Sequence, residues 1–285
     1  MSRKNIFEIL AEDFNIIDEV NKISNLLEHS KLIVEYKNPK IDRLVLSSYK
    51  KLEVGRTVLD IVDEYYFHKW KQRSRCVNSK EMAEKFFAYI GTRDIKGALP
   101  YLEFAVNMIY LCDKVIKEQE FSCYNDFSVL VGNIGSTLDC LNMTVKYCKE
   151  EEKAIIVEKN VAATAVAEIV DTDLAFSVIE YNHHLLKGDI NKKKAILNAL
   201  ANKIEPDRKT LSGLNKSLED ELFYMLNNIN IRHNNKVKNK LKMTDKKLEG
   251  WYDETYQLAL LAILLIDNIE RSKKIRELKK TLHSL

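Results

Sequence analysis

The sequence predicts an all-α protein, a helical bundle of roughly eight to ten helices, and three features carry that reading. Only three prolines and eight glycines punctuate 285 residues, too few for a chain of short strands and tight turns. Charged residues make up 31% of the chain, and with abundant Leu, Ile, Lys and Glu they suit long solvated helices. Apolar residues also recur at helical period along most of the sequence.

The first helix is expected over 5–28, where Ile6, Ile9, Leu10, Ile16, Ile17, Val20, Ile23 and Leu27 recur at that period. After Pro39 a second helix is expected over 40–68, with Ile41, Leu44, Val45, Leu52, Val58, Leu59, Val62 and Tyr66 inward. Gly55 interrupts it at a cost of about 1 kcal/mol. Residues 69–77 form a basic connection around Trp70. A tryptophan among cations can stack on a base, but it more commonly covers an edge of the core, and the second role is expected here.

Ser79 starts a short helix, and Gly97 and Pro100 mark the start of the next, over 100–119. Another follows over 124–150 with Val129, Leu130, Ile134, Leu138, Leu141 and Val145 inward, and Gly132 and Gly135 fit a close helix crossing. Cys140 and Cys148 then share a helix face, and the five cysteines, which form no CxxC pair, read as reduced thiols. From Ala154 to Leu186 the chain is very apolar, broken at Asp171-Thr172-Asp173, where a second helix is capped. His183 and His184 near its end would point about 100° apart on a helix. No second His or Cys joins Glu180 there, so a metal or small-molecule site at this pair is the weakest of the readings.

Asp189 caps the following helix, Pro206 opens a further turn, and Leu214, Leu218, Leu222, Met225, Leu226 and Ile229 form the apolar stripe of the helix after that. A final helix over 246–281 contains the run Leu258 to Ile266, apolar all round and expected to be enclosed as the centre of the bundle. The polar run 149–153 divides the chain into an N-terminal helical domain, 1–152, and a C-terminal one, 153–285, stacked on each other. The same run would serve equally as an exposed turn of one continuous bundle.

The N-terminus lacks the apolar stretch of a signal peptide, and the longest apolar run is about half of what spans a bilayer. A cytoplasmic protein away from the membrane is expected. The net charge of +3 is unevenly placed. Residues 188–285 hold 20 Lys/Arg against 13 Asp/Glu, and the preceding 187 residues hold 25 against 29. A basic C-terminal third can meet phosphate, and it fits equally a solvated lysine-rich surface.

The densest polar chemistry lies in 227–235, NNINIRHNN, followed by lysines at 236, 238, 240, 242, 246 and 247. Arginine holds phosphate through two parallel hydrogen bonds, and histidine moves protons near neutral pH. RNA cleavage needs a base, an acid and a cation at the phosphate. Arg232 and His233 supply part of that set, and a symmetric dimer would bring a second histidine. The structural alternative is that Asn and Arg tie down carbonyls at a helix end while His233 stacks on Trp251 or Tyr252.

With LLKGDINKKKAILNALANKIEP at 185–206, LFYMLNNINIRHNN at 222–235 and an apolar last helix, the stretch 180–270 resembles the HEPN superfamily, and within it bacterial abortive-infection-like proteins. The resemblance implies a compact helical bundle, dimers, and a metal-independent endoribonuclease or RNA-binding effector of phage-defence or toxin type, with no cofactor. Arg232 stands where the family's motif arginine would, with His233 next to it. No histidine occupies 237–239, where the motif would place one, and the next is His283. The implied catalytic residues are Arg232 and His233, with Asn228, Asn234, Asn235, Lys236 and Lys238 as binding residues. Members without the motif look like binding or scaffolding domains. A non-catalytic subunit meeting a partner protein, in place of RNA or a second copy, is therefore the alternative expectation.

Overall fold

The computed structural model describes residues 14–36, 52–67, 75–88, 95–119, 122–123, 127–148, 152–232 and 243–283. They are mainly helical, as expected, with two small sheets. The chain divides into two compact units, Met1–Ile156 and Val157–Leu285. Among the described residues, no helix is long and apolar enough to cross a membrane.

In the first unit, α1 (Ile16–His29) begins at Asn15, whose side chain accepts from the Ile17 N–H. Val20, Ile23 and Leu27 fall on one helical stripe and are fully buried. Residues 1–13, with the expected inward positions Ile6, Ile9 and Leu10, lie outside the described residues. Next come β1 (Leu32–Tyr36) and β2 (Leu52–Arg56), paired antiparallel from Leu32↔Arg56 to Tyr36↔Leu52, with β3 (Ser122–Cys123) on the other side of β1.

The single helix expected over 40–68 is thus corrected to a strand followed by a helix, α2 (Val58–Tyr65). Helix is disfavoured at Gly55, which pairs with Ile33 and whose missing Cβ position lies 3.2 Å from the Lys31 Cδ. Thr57 and Asp60 then form a reciprocal capping box that starts α2 afresh. The connection 68–74, with Trp70, lies outside the described residues.

After α3 (Ser79–Ala88) comes α4 (Ile95–Glu118), the centre of this unit's core. Leu99, Tyr101, Leu102, Ala105, Met108, Cys112 and Val115 are all buried along it. Pro100 lies inside α4 rather than at its start. The helix α5 (Ser128–Cys140) adds Leu130, Ile134 and Leu138 to the core.

Here the expected helix over 124–150 is corrected, because α5 stops at Cys140 and β4 (Met143–Cys148) follows. Asn142 takes the left-handed conformation, φ 55°, which asparagine tolerates better than most residues. Beyond it, β4 carries buried Met143 and Cys148 at its two ends, with exposed Val145 and Tyr147 between them. Cys140 is exposed and Cys148 buried, so they share no face, and Val129 is exposed. A Cβ at Gly132 or Gly135 would meet nothing within 4 Å, so no close crossing occurs there among the described residues.

The strand β5 (Lys153–Glu158) pairs with β4. The apolar segment beginning at Ala154 is therefore strand first and helix later. Ile155, Ile156 and Val157 are consecutive β-branched residues that favour the extended form. Two side chains of α4 satisfy the backbone of β5. Asn107 both donates to the Ala154 carbonyl and accepts from the Ala154 N–H, each at 2.8 Å. Glu103 accepts from the Ile156 N–H at 2.9 Å.

The second unit contains α6 (Val161–Ala167), α7 (Thr172–Glu180), α8 (Ile190–Ile204), α9 (Arg208–Leu214), α10 (Lys216–Asn228) and α11 (Asp245–His283). Asp171 precedes α7 as expected, but its carboxylate reaches Lys203 at 3.2 Å rather than a backbone N–H. Asp189 does cap α8 and accepts from the Lys192 N–H.

The final helix packs against α6, α8, α9 and α10 and buries Tyr252, Thr255, Tyr256, Ala259, Leu260, Ala262 and Ile263. Enclosure of Leu258 to Ile266 on all sides is corrected: Leu261 is 45% exposed, and Leu258, Leu264, Leu265 and Ile266 are half-buried. Among the described residues, the surrounding helices cover one side of α11 only.

Candidate functional site

The polar corner forms where α10 ends. Asn215 caps the start of that helix by accepting from the Leu218 N–H, and Leu218, Leu222, Leu226 and Ile229 hold it to the core. Leu214, expected on the same stripe, is exposed because it closes the preceding helix. At the far end Asn230 turns left-handed, φ 66°, and the Arg232 N–H donates to the Leu226 carbonyl at 3.1 Å. Asparagine suits that role because its Cβ penalty there is smaller than for most residues. Ile231, immediately after, is buried.

The Arg232 guanidinium stands 2.5 Å from a Glu205 carboxylate oxygen and 5.8 Å from the centre of the Phe223 ring, with its side chain 19% exposed. Arg208 stacks more closely on the same ring, at 4.1 Å, and donates to Glu219 at 2.6 Å. Lys216 also donates to Glu219. These two cations hold the Glu219 carboxyl far below its ordinary range, at about 2. Asn228 donates from its amide to the Tyr224 carbonyl, and the Asn230 side chain accepts from Lys194 at 3.3 Å. The corner thus interleaves two arginines and a lysine with two glutamates around one aromatic ring. His233, Asn234, Asn235, Lys236 and Lys238 lie outside the described residues.

His183 and His184 are not on a regular helix. They begin a 3-10 turn, His184–Leu186, with their rings edge to face at 4.4 Å, and His183 is buried. Gly188 follows with φ 87°, so the chain turns there through a conformation glycine allows.

A second polar cluster was missed by sequence reasoning. The Lys193 Nζ, on α8, lies 2.7 Å from both Glu249 and Asp253 on α11, and its side chain is 5% exposed. Tyr181 donates to the same Asp253 at 2.9 Å and stacks on Tyr256 at 3.9 Å between ring centres. The Tyr256 hydroxyl donates to the Val178 carbonyl and accepts from the Asn182 amide. The Gly188 N–H donates to Glu249.

Burial opposes charge on Glu249, yet the bonds from Lys193 and Gly188 outweigh it and leave the carboxyl below its ordinary value. Burial and the neighbouring Asp253 push the Tyr181 hydroxyl strongly upward. The signal was present in the sequence. Lys193 falls on the same stripe as Ile196, Leu197 and Leu200, and Glu249, Asp253 and Tyr256 share one face of the last helix. The Lys193 ammonium also lies 5.1 Å from the centre of the Tyr181 ring, and the cluster clamps the end of α7, α8 and α11 together.

Comparison with protein-family models, with curated proteins and with solved structures finds no match.

Proposed function

We propose that the protein is a non-catalytic helical interaction subunit that works by offering α11 to another helix. One observation carries this reading. While one side of α11 holds the second unit together, Leu261, Ile275, Leu278 and Leu282 stand 45%, 53%, 58% and 61% exposed along the same helix. Leucine and isoleucine repeated on one exposed line mark a contact surface rather than scattered surface apolar residues. The engagement of Arg232 by Glu205 and Phe223 supports the same reading, because a guanidinium already ion-paired must give up that pair to grip phosphate.

The test is a photo-cross-linking residue placed at Ile275 in cells of the source organism. A single discrete adduct, lost on Leu278→Glu, is expected, and no adduct at any mass sinks the reading.

A second reading, an RNA-cleaving or RNA-binding effector of HEPN type, rests on Arg232. Its side chain keeps 19% exposure and precedes the lysine-rich segment in the sequence. In that reading Arg232→Ala abolishes cleavage or retention of a labelled single-stranded RNA while the thermal midpoint stays near that of the parent. If the parent protein neither cleaves nor retains RNA, the reading is removed.

A further inference from the structure

The exposed line on α11 has a repeat that identifies its occupant. In heptad register Leu261, Asn268, Ile275 and Leu282 occupy the a positions, and Leu264, Arg271 and Leu278 the d positions. Residues 273–283 are all exposed, a rod of about 16 Å at helical rise. Nearer the core, Leu261 and Leu264 continue the same line on the open side of the helix, away from Tyr252, Tyr256 and Ala259. A seam spaced at 3.5 residues fits another helix lying along it, because only that spacing keeps knobs facing holes over several turns.

Charge selects the partner and its direction. Set parallel and in register against a second copy, the seam would place Arg271 against Arg271, and Lys274 at g against Lys279 at e: like charges at both places. Set antiparallel about the middle of 268–271, the layers from 261 to 278 find matches, while Leu282 falls opposite Gln257. Leu261 meets Leu278, Leu264 meets Ile275, and Asn268 meets Arg271, each pair occurring twice by symmetry. At the flank Asp267 of one chain lies beside Lys274 of the other, also twice. Asp267 already holds Arg271 of its own chain one turn on, which aligns the guanidinium along the helix.

We infer that the exposed seam of α11 binds a second copy of this chain as an antiparallel two-helix coiled coil centred on Asn268 and Arg271. This rests on the interaction reading above and names its partner. Each exposed rod, 273–283, lies along the open side of the other copy's α11, covering Leu261 and Leu264. The contact is isologous and closes at two chains.

The experiment is sedimentation equilibrium of the full chain from ~1 to ~100 µM. The parent should be a reversible dimer. Leu278→Glu, an exposed position whose change leaves the helical circular dichroism intact, should give a monomer. Lys274→Asp puts two carboxylates together at each flank and should weaken the dimer about tenfold. Adding Asp267→Lys to that variant should restore it.

The opposite response, a tighter dimer on Lys274→Asp, overturns the antiparallel arrangement, since only the parallel pair gains an ion pair with Lys279. A parent monomeric at every concentration, or a dimer indifferent to Leu278→Glu, overturns the self-pairing. The cross-linker at Ile275 separates this failure from that of the interaction reading. An adduct of twice the chain mass supports both, an adduct with a different protein overturns self-pairing alone, and none overturns both.

Discussion

Replacing Lys193 by methionine tests the buried clamp of the second unit most directly. Methionine keeps most of the stem's volume and removes only the charge. The ammonium lies 2.7 Å from each of two carboxylates, a gross attraction of about 6 kcal/mol per pair at an effective dielectric of 20. Most of that is cancelled by the desolvation of the lysine, which is 5% exposed.

What the variant reveals is the cost of two carboxylates left facing each other. Asp253 is 49% exposed and recovers much of its hydration, so its share is small. Glu249, at 18% exposed, does not. The loss therefore falls at the low end of the range for a broken buried pair, about 3 kcal/mol, or roughly 6–12 °C in thermal midpoint.

The sign with pH follows from Glu249. Its carboxyl lies below the ordinary value in the folded parent, so the pair's contribution is full above the unfolded carboxylate pKa. It fades as pH falls through the folded one. Parent and variant should differ most at pH 7 and converge in acid. Lys193→Met combined with Glu249→Met should recover most of the loss, since a matched apolar pair carries no stranded charge. Urea and thermal unfolding followed by circular dichroism read all three proteins. A midpoint drop under ~2 °C at neutral pH, or a deficit unchanged at pH 3, refutes the reasoning.

Glu219→Gln should lower the urea midpoint at pH 7, and the difference from the parent should close as pH falls toward about 2, the value to which Lys216 and Arg208 hold that carboxyl. An equal deficit at both ends of the titration would show that those cations contribute nothing. Asn230, with φ 66°, should accept glycine within a few tenths of a kcal/mol and lose about 1–2 kcal/mol as valine, measured by urea denaturation. Asn107→Leu leaves the Ala154 N–H and carbonyl without their amide partner. It should cost about 2–4 kcal/mol, with faster hydrogen exchange at Ala154 as the local readout.

The sequence made the long helices plain where the apolar stripe was unbroken. Val20, Ile23 and Leu27 in α1, and Leu218, Leu222 and Leu226 in α10, are buried as their spacing predicts. The strands were concealed because each is short and lies beside a good helix. Residues 52–56 and 143–148 carry enough Val, Leu and Met to continue a helical count. What redirects them is a conformational stop, Gly55 or the left-handed Asn142, whose effect a periodicity count cannot weigh.

At the corner, the sequence located the turn and the guanidinium but not its counter-charge. Glu205 lies 27 positions earlier in the chain than Arg232, and the packing of α10 against α8 and α9 brings the two together. The Lys193 clamp was overlooked for a related reason: a lysine on an apolar stripe looks like a snorkelling side chain until its two carboxylates are seen on another helix.

The last core side chain of α11 is Ile263, and the helix runs on to His283. In the proposed self-pairing the outer length of the rod serves association alone, while the inner length serves folding on one side and association, through Leu261 and Leu264, on the other. The outer length can lose a leucine, reverse a charge or be exchanged for another seam without opening the bundle beneath it. Selection on the company this molecule keeps is consequently freed from selection on its architecture. Relatives that share the inner half of the rod should vary most in the outer half.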